Sequence, residues 1–191
     1  MSKTIHEFTT DIPQWKPYVV PLDLAEATDE QLDALKITPS NTKVSDYVLV
    51  LAHDVETLKH RSPLFNAVMY NRGGLSRAER ELGAVGASMV NRCIYCAAVH
   101  ASRYNQLTKE TDVIAAIFAD GVEAQIEPRL RAILNFAVKL SKCPSDATAD
   151  DMAALVAAGL NKEEILDLIL STSLFGWANR LMHTLGEPVG E

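Results

Sequence analysis

The chain has no cluster of lysine or arginine, and its acidic residues outnumber its basic ones, 25 to 18, for a formal charge of −7 and a pI near 5.2. Binding to phosphate needs concentrated positive charge, so nucleic acid and an acidic membrane surface are excluded as generic partners. Long hydrophobic runs are also missing. The longest apolar stretch, Leu168 to Ala178, falls far short of the roughly 20 residues that span a bilayer, and the opening MSKTIHEFTTDIPQW lacks the charged-then-apolar order of a signal peptide. A soluble protein, not a membrane protein, is expected. Cysteine is scarce: there are three, an odd number, two of them in one C-x-x-C. That usage does not describe a secreted disulfide framework, and a reducing, cytoplasmic setting fits it better. No segment alternates apolar and polar residues over a useful strand length, and no glycine-rich phosphate loop follows a strand.

What remains is ordinary globular composition, 48% hydrophobic and 23% charged, in 191 residues, enough for one well-cored domain over 1–191. Pro13, Pro17, Pro21 and Pro39 interrupt residues 1–40, which read as an extended arm with one helical turn around Asp29 to Leu35. Its aromatic residues need burial, against the chain's own body or a neighbouring subunit. Residues 41–191 read as an all-α body. A helix is expected from Val44 to Lys59, and Pro63 opens a short one, Leu64 to Tyr70, closed by Gly73 and Gly74. His53 and His60 sit on or beyond the first of these without ligand spacing, and read as surface or helix-end residues. Ser76 and Glu79 form a capping box for a helix reaching about Val90, in which Gly83 and Gly86 suggest close packing against the following helix. Further helices are expected over Cys93 to Asn105, Lys109 to Ala119 with Thr108 as cap, from Pro128 onward, from Thr148 to Ala158, and from Asn161 to about Leu185.

The stretch from Glu81 to His100, ELGAVGASMVNRCIYCAAVH, carries most of the chemistry. On a helix, Cys93, Cys96 and His100 fall within an arc of roughly 60°, and the i,i+3 spacing of the two cysteines suits a reversible disulfide. A cysteine in a helix's first turn has its thiol pKa depressed, which favours the reactive thiolate. His100, one turn beyond Cys96, can take a thiol proton, and a carboxylate such as Glu81 can orient that histidine. Arg92 reads equally well as a residue that holds the turn and as one that attracts an anion to the thiols. Cys143 has neither partner nor base nearby and reads as an incidental thiol.

This pattern, Glu81, Cys93, Cys96 and His100 in the order E-x11-C-x-x-C-x3-H, resembles the redox branch of the alkylhydroperoxidase D-like, carboxymuconolactone decarboxylase superfamily. Ser88, the Asn91-Arg92 pair and Asn179-Arg180 resemble its peroxidase-related subgroup. The resemblance covers about residues 62 to 120 and implies an alkylhydroperoxidase D-like helical bundle. Members of the family are commonly trimers or hexamers, so a homo-oligomer, from dimer to hexamer, is expected. The best-studied members carry histidine immediately before the second cysteine, where this chain has Tyr95, a poor base near neutral pH.

The function these residues imply is reduction of organic hydroperoxides through a dithiol and disulfide cycle without cofactor or metal. Cys96 is the favoured nucleophile because His100 is one turn away, while helix-dipole reasoning also lowers Cys93. Cys93 then condenses with the oxidised sulfur, Glu81 holds His100, and an external dithiol regenerates the pair. Three alternatives stand beside it: a disulfide reductase with little peroxide chemistry; a zinc site made by Cys93, Cys96 and His100 with Glu81 as fourth ligand; and lactone decarboxylation, in which a dithiol has no obvious role.

Overall fold

The structure, a computed structural model, describes residues 3–37 and 44–190. Pro39 and the expected boundary between arm and body at 40/41 lie outside the described residues. The helices are α1 (Asp29–Leu35), α2 (Asp46–Leu51), α3 (Val55–Tyr70), α4 (Arg77–Val90), α5 (Ile94–Thr108), α6 (Asp112–Asp120), α7 (Pro128–Ser141), α8 (Ala149–Ala157) and α9 (Lys162–Leu185). Among the described residues, none is long and apolar enough to cross a membrane.

The bundle is built around α4. Ten consecutive residues, Glu79 to Ser88, are buried, because α5, α7 and α9 pack on three sides of this helix. Its start is fixed by the expected capping box: the Ser76 hydroxyl accepts from the Glu79 N–H while the Glu79 carboxylate accepts from the Ser76 N–H. Arg80 anchors the same end by donating to the Asn71 and Gly73 carbonyls and to Asp167 at 2.6 to 2.8 Å.

The two α4 glycines permit close approach, though to different neighbours from the one expected. A Cβ on Gly83 meets Leu168 and Thr172 of α9 at 3.0 Å, and one on Gly86 meets the Ala137 Cβ of α7 at 2.9 Å. Glycine therefore sets the spacing of α4 to α7 and α9, and the cysteine helix α5 lies on another side. Gly86→Val is expected to cost roughly 1 to 3 kcal/mol through this overpacking, read as a lowered midpoint in urea denaturation.

Three helix boundaries differ from the sequence expectation. The chain breaks between α2 and α3 at Asp54, whose carboxylate accepts from the Thr57 N–H and hydroxyl at 3.1 and 2.6 Å, so a cap divides what looked like one amphipathic helix. Pro63 then lies inside α3 and does not open a helix of its own. Proline there removes one rung, and burial of Leu58, Phe65, Val68 and Met69 carries the helix through. Further on, Thr108 is the last residue of α5 and donates back to the Tyr104 carbonyl, while Lys109, left-handed at φ 64°, ends that helix.

The arm forms part of a small sheet that the sequence did not announce. The strands β1 (Lys3–Thr4), β2 (Gln14–Pro17) and β3 (Gly186–Gly190) lie in the order β1-β3-β2, with both pairs antiparallel. The chain's two ends are thus tied together. Trp15 of β2 is buried, donates its indole N–H to the Met182 carbonyl at 3.3 Å and meets Tyr47 edge-on. Arg92 holds the arm: its guanidinium donates to the His6 carbonyl at 3.2 Å and lies over the Phe8 ring. The Arg92 side chain thus ties the arm to the α4–α5 turn, a contact that the sequence reading did not include.

Candidate active site

The turn between α4 and α5 delivers the cysteines. Arg92 takes a left-handed conformation, φ 54°, and Cys93 becomes the N-cap of α5, its N–H donating to the Ser88 carbonyl. Cys96 lies in the first turn. Both are buried free thiols, and they lie in contact with each other. That contact, working against burial, holds the Cys93 thiol below its ordinary pKa, and the Asn179 amide adds to the effect. Cys96 is pushed well above its ordinary range, first by this arrangement with Cys93 and then by burial. Of the two, Cys93 is therefore the more acidic thiol.

Glu81 is fully buried on α4 and reaches across to α5. One of its oxygens accepts from His100 Nδ1 and the other from Arg77, whose Nε lies at 2.8 Å. Burial alone raises the Glu81 carboxyl, but His100 and Arg77 outweigh it and hold the group below the usual carboxylate range. With the Nδ1 proton committed to Glu81, neutral His100 carries its lone pair on Nε2. The ring packs edge-on against Phe175 at 4.0 Å, which fixes its plane.

Cys96 and His100 both line a cavity of about 510 Å³, with Tyr95, Phe65, Met69 and Phe175 among its walls. Cys93 is not among its lining residues; it lies behind Cys96. Tyr95 is half-buried, and burial followed by the nearby cysteines raises its phenol, so it stays protonated and offers no base. Cys143 is exposed, in the connection between α7 and α8, and outside this site. His53 bonds the Val20 carbonyl and His60 meets Glu56, both at the surface. Among the described residues, no group of three or more His, Cys, Asp or Glu side chains is placed to hold a metal ion.

The four residues picked from sequence spacing thus lie at one site. Others at the site were not read as part of it. Asn179 was noted in sequence without a role, and the structure sets it beside both sulfurs. It donates to Ser88 Oγ at 3.1 Å and accepts from Asn91 Nδ2 at 3.2 Å, a buried amide chain linking α9 to the α4–α5 turn. Arg77 could have been found four residues before Glu81, the spacing of a helical ion pair. Arg61 occupies a place in the stripe Leu58, Arg61, Phe65, Val68, where a charged residue among apolar ones was a visible signal.

The fold and site define a mainly helical protein in which a buried dithiol and a glutamate-held histidine meet at one cavity. The sequence pattern of the carboxymuconolactone decarboxylase family matches residues 56–139. A peroxidase-related protein from Ralstonia eutropha JMP134 with an alkylhydroperoxidase AhpD core is 30% identical, with a TM-score of 0.77 over 92% of this chain and 93% of that one. One from Silicibacter sp. TM1040 is 25% identical, with a TM-score of 0.74 over 100% and 95%. The debrominase Bmp8 shares the fold at 16% identity, with a TM-score of 0.74 over 87% and 89%. No functionally curated protein matches this sequence. The chain belongs to the carboxymuconolactone decarboxylase family and has the alkylhydroperoxidase AhpD-like fold.

Proposed function

We propose that the protein is a thiol peroxidase that reduces organic hydroperoxides with the Cys93–Cys96 pair. The observation that carries this reading is the arrangement of Cys96 at the cavity wall, Cys93 behind it as the more acidic thiol, and His100 held by the buried Glu81. The reading is supported by the peroxidase-related description of the two relatives at 30% and 25% identity.

In the first step His100 takes the Cys96 proton on Nε2, which leaves the thiolate on the sulfur that faces the cavity. The Cys96 thiolate attacks the distal oxygen of the hydroperoxide, the O–O bond breaks, and His100 gives its proton to the departing alkoxide. Cys96 is now a sulfenic acid. Cys93 attacks that sulfur; its proton and the sulfenic hydroxide leave as water, and a disulfide remains. Two thiols and one hydroperoxide become one disulfide, one alcohol and one water. An external dithiol then reduces the bond by exchange.

Tyr95 favours a second reading, a disulfide reductase with weak peroxide activity, because no base stands beside Cys96 at that position. Stopped-flow mixing of the reduced protein separately with cumene hydroperoxide and with a small aromatic disulfide decides between them. Faster oxidation by the hydroperoxide supports the peroxidase reading, and faster oxidation by the disulfide overturns it.

A further inference from the structure

The dithiol chemistry makes no use of Arg61, yet this residue lines the same cavity as Cys96. Arg61 is only 7% exposed, and among the described residues its Nε and Nη1 are buried without a hydrogen-bond partner. Its guanidinium merely lies over the rings of Phe65 and Tyr47, at 4.1 and 5.4 Å. The Tyr47 hydroxyl, which also lines the cavity, is likewise buried and unpartnered.

Other arginines of the bundle are treated differently. Arg80 reaches two carbonyls and Asp167, Arg77 pairs with Glu81, and Arg129 bridges Glu79 and Glu164. Leaving a buried cation unpaired costs several kcal/mol, so an empty guanidinium in a cavity wall is a place prepared for an anion. The rest of the wall agrees. In a chain of net charge −7, the cavity is lined among the described residues by Arg61, Arg77 and Arg103 and by no aspartate or glutamate. Arg77 is already spent on Glu81. Between these groups the lining is apolar, with Val48, Phe65, Met69 and Phe175.

We propose that the cavity binds organic substrates carrying a carboxylate, which Arg61 and Tyr47 grip while the apolar body lies against Phe65 and Phe175 and the reacting group meets Cys96. The inference deepens the peroxidase reading: the oxidant is an anionic organic hydroperoxide. A guanidinium fork and a phenol hydroxyl present N–H and O–H donors to the two oxygens of one carboxylate. Burial pushes the Tyr47 phenol up to about 12, so it remains a donor at working pH. A neutral hydroperoxide brings no negative charge to these donors.

The test needs no turnover. The pre-reduced full-length protein is titrated calorimetrically with cumyl alcohol bearing a para-carboxylate, the product expected from the matching hydroperoxide, and with the methyl ester of the same alcohol. The acid is expected to bind at least about tenfold tighter than the ester. Arg61→Gln removes that preference and leaves the ester's affinity within about twofold, and Tyr47→Phe reduces the preference roughly threefold. Equal binding of acid and ester, no binding of the acid, or a preference that survives Arg61→Gln overturns the proposal. If Arg61→Gln does not fold, the wild-type ratio and Tyr47→Phe still decide it. An Arg61 that serves only the nearby Cys96 sulfur gives no preference between acid and ester. Acid preference in a protein that proves unable to reduce hydroperoxides overturns the peroxidase reading and leaves the anion site in place.

Discussion

Cys96→Ser abolishes hydroperoxide turnover at every pH, with a loss of at least about a thousandfold against wild type. A serine oxygen cannot be oxidised by a hydroperoxide to anything equivalent to a sulfenic acid, and its pKa keeps it protonated, so neither half of the first step survives. Cys93→Ser behaves differently. Cys96 still faces the cavity and can be oxidised once, so this variant consumes about one equivalent of hydroperoxide and stops as a sulfenic acid, which dimedone traps on Cys96. The pair of variants fixes the order of the cysteines. A burst of one equivalent in Cys96→Ser and none in Cys93→Ser reverses the roles, making the more acidic Cys93 the attacking thiol despite its place behind the cavity wall.

Glu81→Gln has the second large effect, and it acts on folding as well as rate. The carboxylate is fully buried between His100 and Arg77. An amide of the same size brings one oxygen and one N–H to two donors, so Arg77 loses its anionic partner and His100 its orienting acceptor. Breaking one side of such a buried pair costs about 3 kcal/mol, or roughly 6 to 12 °C in Tm for a chain of this size, and a mispositioned acid-base histidine lowers the rate by roughly a hundredfold. The pH dependence has a definite sign. The folded carboxyl is held below its ordinary value, so its contribution is complete above the unfolded value of about 4.3 and is lost as pH falls toward the folded one. The Tm difference between wild type and Glu81→Gln is therefore present at pH 5 and narrows on acidification below about pH 4. A gap that widens on acidification contradicts the charged state assigned to Glu81.

Much of this was legible in the sequence for a physical reason. Helix starts announced themselves where a capping side chain stood at the right spacing, as at Ser76 with Glu79 and at Asn161 with Glu164, because a cap is a local interaction. The α2–α3 break was missed although it too is local, since Asp54 sits inside a run whose apolar positions continue in phase on both sides. The strand β3 could not be read from Gly186 to Gly190 at all. Its partners are Gln14 to Pro17 and Lys3 to Thr4, at least 169 positions away in sequence (Pro17 to Gly186). Nothing in a five-residue segment with a central proline encodes that pairing.

The site divides in the same way. Glu81, Cys93, Cys96 and His100 were legible because one turn and one helix pair bring them together, so spacing stands in for distance. Arg61, Tyr47 and Asn179 come from α3, α2 and α9, and only the packing of those helices around the cavity makes them neighbours of the thiols. The inference that Gly83 and Gly86 mark a close helix contact was sound in kind. Which helix they approach is a property of the whole bundle, and it proved to be α7 and α9.

The measurement that tests the account most directly is disulfide mapping by mass spectrometry on pre-reduced protein, quenched within seconds of adding one equivalent of an organic hydroperoxide. The account predicts a Cys93–Cys96 bond in nearly every molecule, with Cys143 still a free thiol. Slow oxidation scattered over all three cysteines, or none at Cys93 and Cys96, contradicts it.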